Sequence, residues 1–262
     1  MEEIDNFWEE IKFEVGSLGK TYGDISERKT LIGSGNREAD ILFIGDDPDL
    51  YQNEDLKVAP SSSGEFLIKL CDIEGITPDD YYITTLAKKD CKFSEFMEEE
   101  REQLKELLNL QIALVKPKII VALGSEVAET LLDRDVKLGE ERGNILEWIG
   151  GIKLLITYDV NFVKKSRNEA GKKSRAALEF WNDLKILKQE LNCSLKKLEL
   201  TNQLGFDLKK EQLDALSSNG VYTGEMFGEA LLKDERYFNH ELLKPYRKGE
   251  SRSDNPYVNF YW

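Results

Sequence analysis

One histidine, three cysteines and six prolines in 262 residues leave several kinds of chemistry short of material. The sole histidine, His240, lies far downstream in the chain. The cysteines (Cys71, Cys91, Cys193) are odd in number and form no C-x-x-C pair, which argues against a disulfide framework and against a four-thiolate metal or cluster site. No stretch approaches the roughly 18 to 20 apolar residues of a membrane span. The start, Met-Glu-Glu-Ile-Asp, lacks the basic and apolar regions of a signal peptide, so a cytoplasmic protein without membrane contact is expected. The net charge of −14 repels a polyanion at long range and does not announce a nucleic-acid binder.

The chain does contain a filling for a core, 40% of its residues being hydrophobic, and its length suggests one domain of moderate size plus an appendage. Its organising stretch is Ala39-Asp-Ile-Leu-Phe-Ile-Gly-Asp-Asp-Pro-Asp49. Ile41 to Ile44 form an unbroken apolar run between Asp40 and Gly45, the pattern of a strand buried on both faces of a parallel sheet. Asp46, Asp47 and Asp49 then place three carboxylates around the stiff Pro48, at the strand end where open α/β sheets build their ligand sites. Gly33-Ser-Gly35 precedes this strand and lacks a third glycine, so it is not a dinucleotide loop.

Other segments alternate in the same way. Phe7, Trp8, Ile11 and Val15 recur at helical spacing, with Phe13 off that stripe. Phe66, Leu67, Leu70 and Ile73 predict a helix after the turn Pro60–Gly64, and Tyr81–Thr85 a second strand. A long charged helix over about 95–115 stops at Pro117, followed by a strand at Ile119–Leu123 and a helix opened by Gly124-Ser125. Glu147–Ile149 and Ile152–Thr157 read as a hairpin around Gly150-Gly151, and a last helix over about 170–191 places Leu178, Trp181, Leu184 and Leu187 inward. Strands alternating with helices imply a mostly parallel sheet covered on both faces, with the acidic loop, Thr84-Thr85, Gly124-Ser125 and Tyr158-Asp159 meeting at one edge.

From about Asn192 the texture changes. Three short helices broken by Gly205 and Gly220 are expected over 192–262, ending in the aromatic segment Asn255-Pro-Tyr-Val-Asn-Phe-Tyr-Trp262, which would dock on its own chain or on a protein partner. Between Lys164 and Arg175 the chain carries six cations against Glu169 alone, either a solvated helix approach or a contact for phosphates.

The order of these segments resembles the uracil-DNA glycosylase superfamily, most closely its iron–sulfur branch, over Arg28–Trp181. The carrying residues are Gly35-Asn36, Ala39–Gly45 with Pro48, Ser63-Gly64, Tyr82-Ile-Thr84, Gln111-Ile112, Lys116-Pro-Lys118 before Ile120–Gly124, Arg142-Gly143 and Thr157-Tyr158. The resemblance implies a three-layer α/β/α fold on a mostly parallel sheet, so the expected organisation is an α/β domain over 1–191 followed by the small helical extension over 192–262. It also implies hydrolysis of a base from deoxyribose on an extruded nucleotide. Asp47 matches the aspartate that orients the attacking water in a second branch, and a capping carboxylate on a tight turn is the alternative for it. Asp46 and Asp159 complete the catalytic candidates. The branch's stacking phenylalanine is here Ser61 and its base-reading asparagine Thr85. Its late His-Pro-Ser is Asp159-Val160-Asn161, with Tyr158 beside it.

Its cluster cysteines are missing, Lys89 and Leu104 standing at two of their places, so no metal or other cofactor is expected. The run after the late motif, Phe162-Val163-Lys164-Lys165 with Arg167, corresponds to a loop that wedges an apolar side chain into duplex DNA, and the amide end at Ser125 could hold an anion. The expectation is a divergent glycosylase-like protein that binds DNA weakly or acts on a damaged base with weak or lost excision. The alternative is an inactive binding module for a nucleotide or protein.

Overall fold

A computed structural model describes residues 2–19 and 25–203. In chain order the elements are α1 (Glu2–Ser17), β1 (Ser34–Gly35), β2 (Ile41–Gly45), α2 (Ser63–Ile73), β3 (Tyr81–Thr85), α3 (Glu98–Val115), β4 (Ile119–Leu123), α4 (Ser125–Leu132), α5 (Leu138–Glu141), β5 (Ile145–Glu147), β6 (Lys153–Thr157), α6 (Val160–Ala170) and α7 (Arg175–Gln203). The chain divides into two units after Asn192, and the sheet with both of its cores belongs to the first. The expected short helices beyond Gln203 and the aromatic end lie outside the described residues.

The strands form a single mixed sheet in the order β1-β3-β2-β4-β6-β5. Its four central strands are parallel, with Phe43 opposite both Ile83 and Val121, and β1 and β5 close the two edges antiparallel. β2, β3 and β4 are buried on both faces, which is why they read as hydrophobic runs and not as an alternation. Leu42, Ile44, Ile120, Ala122, Leu154 and Ile156 face a core shared with Trp8, Ile11, Leu104 and Leu108 of α1 and α3. Ile41, Phe43, Val121 and Leu155 face the opposite core, with Leu67 of α2, Val163 of α6 and Phe180, Leu184 and Leu187 of α7. The result is the three-layer α/β/α fold.

Details depart from the expected pattern. Phe7 and Ile73 fall on the expected inward stripes but are 44% and 65% exposed, and Phe13, off its stripe, is 74% exposed. The helix expected over 170–191 begins only at Arg175, after a turn at Gly171–Lys173 that separates it from α6, and Leu178 faces solvent while Phe180 takes the inward place. The first hairpin arm lies at Ile145–Glu147, ahead of its expected position. The two-residue edge strand β1 is too short for any periodicity to announce it.

Candidate active site

Strand order fixes where a site can form. From β2 the chain crosses to β3 on one side and then returns to β4 on the other, so the order reverses between β2 and β4. Crevices in open parallel sheets lie outside the carboxyl ends of the strands at such a reversal. The loops there are Asp46–Asp49 after β2 and Gly124-Ser125 after β4, with Asp159 following β6 alongside. Gly124 has φ +107, and a methyl group on it would come within 3.3 Å of the Asp159 Cβ, so glycine is what lets the two loops close on each other.

Three carboxylates gather at this edge, and each is held by one oxygen. Asp47 caps the short 3-10 turn Pro48–Leu50, its Oδ1 accepting from the Asp49 amide at 3.0 Å. Asp159 caps α6, its Oδ1 accepting from the Phe162 amide at 2.8 Å. Asp46 Oδ1 accepts from the Phe93 amide at 2.8 Å. The other oxygen of Asp47 is buried and has no hydrogen-bond partner, although the residue is only 6% exposed. A buried unpaired carboxylate oxygen is costly, which singles Asp47 out among the three.

Electrostatics bind the three into one group. Burial pushes the Asp46 carboxyl up to about 6, against the Phe93 amide and Lys92, while Glu126 and Asp159 add to the rise. Burial likewise raises Asp159, with Asp47 among the charges that press it upward and Lys92 opposing. The charge of Asp159 is thus felt at Asp46 and that of Asp47 at Asp159.

The expected substrate contacts separate into two places. Thr85 is 3% exposed and lines a cavity of about 500 Å³ together with Pro48, Asp49, Tyr51, Gln52 and Asn53. Its hydroxyl accepts from the Lys88 amide at 3.1 Å and lies 3.3 Å from the Tyr51 hydroxyl. The three carboxylates adjoin this cavity through Pro48 and Asp49 and do not line it. Ser61 is exposed with φ 60, and its carbonyl accepts from the Lys164 ammonium. Tyr158 is half-buried, its hydroxyl donating to Glu179 Oε2 at 2.8 Å and its ring 5.5 Å from that of Phe162. Asn161, also half-buried, lies in the first turn of α6, and Ser125 is the first residue of α4.

The expected wedge loop is corrected. Phe162, Val163, Lys164 and Lys165 belong to α6, because Asp159 caps a helix whose Val160 and Val163 recur at i, i+3 and pack on the sheet. Val163 is fully buried and is removed from the DNA-facing candidates. Phe162, 52% exposed, and Lys165 remain on the surface, with Lys164 and Arg167 half-buried.

Residues that the sequence did not single out also shape this edge. Tyr51 is buried beside Thr85, and its phenol is pushed up to about 12 by burial. Lys88 is fully buried, its ammonium donating to Gln111 Oε1 at 2.7 Å, Thr84 Oγ1 at 3.0 Å and the Thr85 carbonyl at 3.1 Å, and burial pushes it down to about 7. Glu126 follows Ser125 in the first turn of α4.

Comparison with known proteins places the sheet-bearing part of the chain in a family. The family model of the uracil DNA glycosylase superfamily matches residues 32–185. The chain belongs to the uracil-DNA glycosylase superfamily. It is similar to Type-4 uracil-DNA glycosylases from Thermotoga maritima (27% identical over 146 residues, 55% of this chain and 76% of the relative) and Archaeoglobus fulgidus (29% over 147 residues, 52% and 73%). The enzyme of that name from Saccharolobus solfataricus is 32% identical over 135 residues, 47% of this chain and 61% of the relative.

The iron–sulfur cluster implied by the resemblance does not fit the residues present. Cys71 and Cys91 are both buried, but they pack in the cores on opposite faces of the sheet. Leu104 is fully buried in apolar surroundings. The Lys89 ammonium donates to the Leu18 carbonyl at 2.8 Å and to those of Gly16 and Ile25 at 3.4 Å, tying the end of α1 to the loop after β3. Among the described residues no group of three or more histidine, cysteine, aspartate or glutamate side chains is arranged to hold a metal ion. Among the same residues no helix is long and apolar enough to cross a membrane.

Proposed function

We propose that this superfamily member engages a nucleotide of DNA at the β2/β4 crevice as a divergent glycosylase-type hydrolase, with weak or lost excision of uracil. The observation that carries the reading is Asp47, nine-tenths buried, fixed by one oxygen to the Asp49 amide and left with the other unpaired at the strand end. A carboxylate so held can orient a water and accept its proton as the glycosidic bond opens. Asp46 and Asp159 stand beside it, and their negative charge favours the positive charge that develops on the sugar.

Uracil is a poor substrate on the same grounds. It leaves as an anion, and the carboxylate of Asp159 stands where the resembling enzymes carry a histidine. Losing one well-placed donor to a developing anion costs roughly 3 kcal/mol, and a carboxylate in its stead adds repulsion. The exposed face of α6, Phe162 with Lys165, is the candidate contact for the DNA backbone.

Single-turnover release of uracil from single-stranded DNA, wild type against Asp47→Asn, tests the reading. Slow release that the substitution abolishes is expected, because asparagine keeps the turn cap and loses the base. Robust multi-turnover release would show that the altered positions had been misjudged, and slow release unchanged by Asp47→Asn would remove Asp47 from the chemistry.

A further inference from the structure

The cavity beside the crevice carries a charge that runs against that of the chain. Lys29, Lys57 and Lys89 line it together with Asp49 and Asp90, three cations to two anions in a protein of net charge −14. The Lys89 ammonium is spent on the carbonyls of Gly16, Leu18 and Ile25. Lys29 is exposed and gives one N–H to the Gln52 carbonyl at 2.8 Å, so the rest of its ammonium is open to a ligand. Lys57 is also exposed, and among the described residues its ammonium has no partner. The amides of Asp55 and Lys57 donate to Asn53 Oδ1 at 3.0 and 3.1 Å, which fixes the loop that carries Lys57 and leaves the Asn53 Nδ2 as a further donor of the lining.

A second observation is independent of the lining. Lys88 is fully buried, and its ammonium meets only neutral acceptors, Gln111 Oε1, Thr84 Oγ1 and the Thr85 carbonyl. Among the described residues no carboxylate acts on it, and burial alone displaces it. Its amide donates to the Thr85 hydroxyl and its ammonium to the Thr85 carbonyl, both at 3.1 Å, and Thr85 lines the cavity. The charge therefore stands directly behind the cavity wall. A buried ammonium without a counter-charge is costly, and an anion in the cavity supplies one across a medium that screens little.

We propose that this cavity binds a phosphate monoester, carried by a free mononucleotide or by the 5′ end of a DNA strand, with Lys29, Lys57 and Asn53 Nδ2 as donors and Lys88 as the fixed positive charge behind them. The site adjoins the carboxylate crevice through Pro48 and Asp49, and the proposal does not rest on the glycosylase reading. A monoester carries a charge of about −1.5 to −2 at neutral pH, enough to answer Lys29, Lys57 and Lys88 despite Asp49 and Asp90. The single charge of a diester within a strand is not. A volume of about 500 Å³ leaves room for a sugar and base against Leu31 and Pro48, the apolar part of the lining.

Calorimetric titration of the whole chain at low salt tests the site, with thymidine 5′-monophosphate against thymidine and with one short single-stranded oligonucleotide with and without a 5′-phosphate. Wild type should bind the monophosphate at least tenfold more tightly than thymidine. The double substitution Lys29→Gln, Lys57→Gln should remove most of that preference, while Lys57→Arg alone should keep it; all these positions are exposed, and thermal melts confirm that the fold is kept. A 5′-phosphate that raises oligonucleotide affinity by a similar factor assigns the site to a strand end, and a preference confined to the mononucleotide assigns it to a free nucleotide. Equal affinity within both pairs, whether tight or undetectable, overturns the proposal. So does a phosphate preference that the double substitution leaves untouched. Release of uracil is read separately, so either outcome leaves the glycosylase reading to its own test.

Discussion

Asp46 should make the protein less stable than it could be, and the penalty can be worked from its surroundings. The carboxyl is displaced from 3.8 to about 6, so the folded state holds its proton more tightly than the unfolded chain does. Between those values the native state binds more protons, and stability falls as pH rises. Above about pH 6 the full displacement applies, roughly two units at about 1.4 kcal/mol each, or an upper limit near 3 kcal/mol. At pH 4 about 0.5 kcal/mol remains, because the carboxyl is then half-protonated even when unfolded. Asp46→Asn keeps an oxygen for the Phe93 amide and removes the charge facing Glu126 and Asp159. The substitution should therefore stabilise the protein at pH 8 by about 2 to 3 kcal/mol, and the gain should shrink toward nothing at pH 4. Urea unfolding of both proteins at the two pH values measures it, the other titrating groups cancelling in the difference. A gain of the same size at pH 4, or none at pH 8, would refute the assignment of a strained charge to Asp46. If the gain appears and DNA-directed activity falls with it, the strain is retained for function.

Packing and buried hydrogen bonds set two further outcomes. Val163→Ala should destabilise by about 2 kcal/mol because the side chain is fully buried, whereas Phe162→Ala should change stability by under about 0.5 kcal/mol and Lys165→Glu should weaken DNA binding at low salt; thermal melts and anisotropy separate the three. Lys89→Met should cost about 3 kcal/mol or more by orphaning the carbonyls of Gly16, Leu18 and Ile25, and hydrogen exchange should rise first at the end of α1.

The strands were legible because burial on both faces leaves a run that only a central parallel strand produces, as Ile41–Ile44 and Ile119–Leu123 do. α6 was not. Its buried residues are only Val160 and Val163, and the cations between Lys164 and Lys173 hide a two-residue stripe that the cap at Asp159 makes helical. The acidic loop could be placed from its position after β2, and its meeting with Asp159 from strand alternation. That Asp47 leaves one oxygen unpaired is set by the turn geometry at Pro48, which no residue pattern encodes. Thr85 and Asp47 were expected at one edge of the sheet. Tyr51 and Lys88 explain why Thr85 faces a neighbouring cavity: its hydroxyl is held by the Lys88 amide and by a phenol 34 residues away in the chain, a pairing that only the folded sheet creates.

The charge layout gives the DNA reading a specific physical form. Net −14 repels a polyanion at distance, and the carboxylates at the crevice add to that repulsion. Yet α6 starts at those carboxylates and carries Lys164, Lys165 and Arg167 along its next turns, at a rise of about 1.5 Å per residue. Lys164 and Lys165 therefore lie along the helix axis within roughly one Debye length of Asp159, about 8 Å at physiological salt, and Arg167 lies beyond it. From afar such a pair largely cancels, so it steers nothing and association is slow. At contact the fields are distinct, the lysine-bearing face being the one suited to phosphates. Raising salt weakens the phosphate contacts and the long-range repulsion together, so the affinity of the wild type should fall with salt less steeply than the number of cations on α6 implies. Lys165→Glu should flatten the slope further, or reverse it by letting repulsion prevail. Anisotropy titrations across a series of salt concentrations measure both slopes. A steep wild-type slope would mean that the crevice carboxylates are not felt by bound DNA, and the base would then have to sit elsewhere.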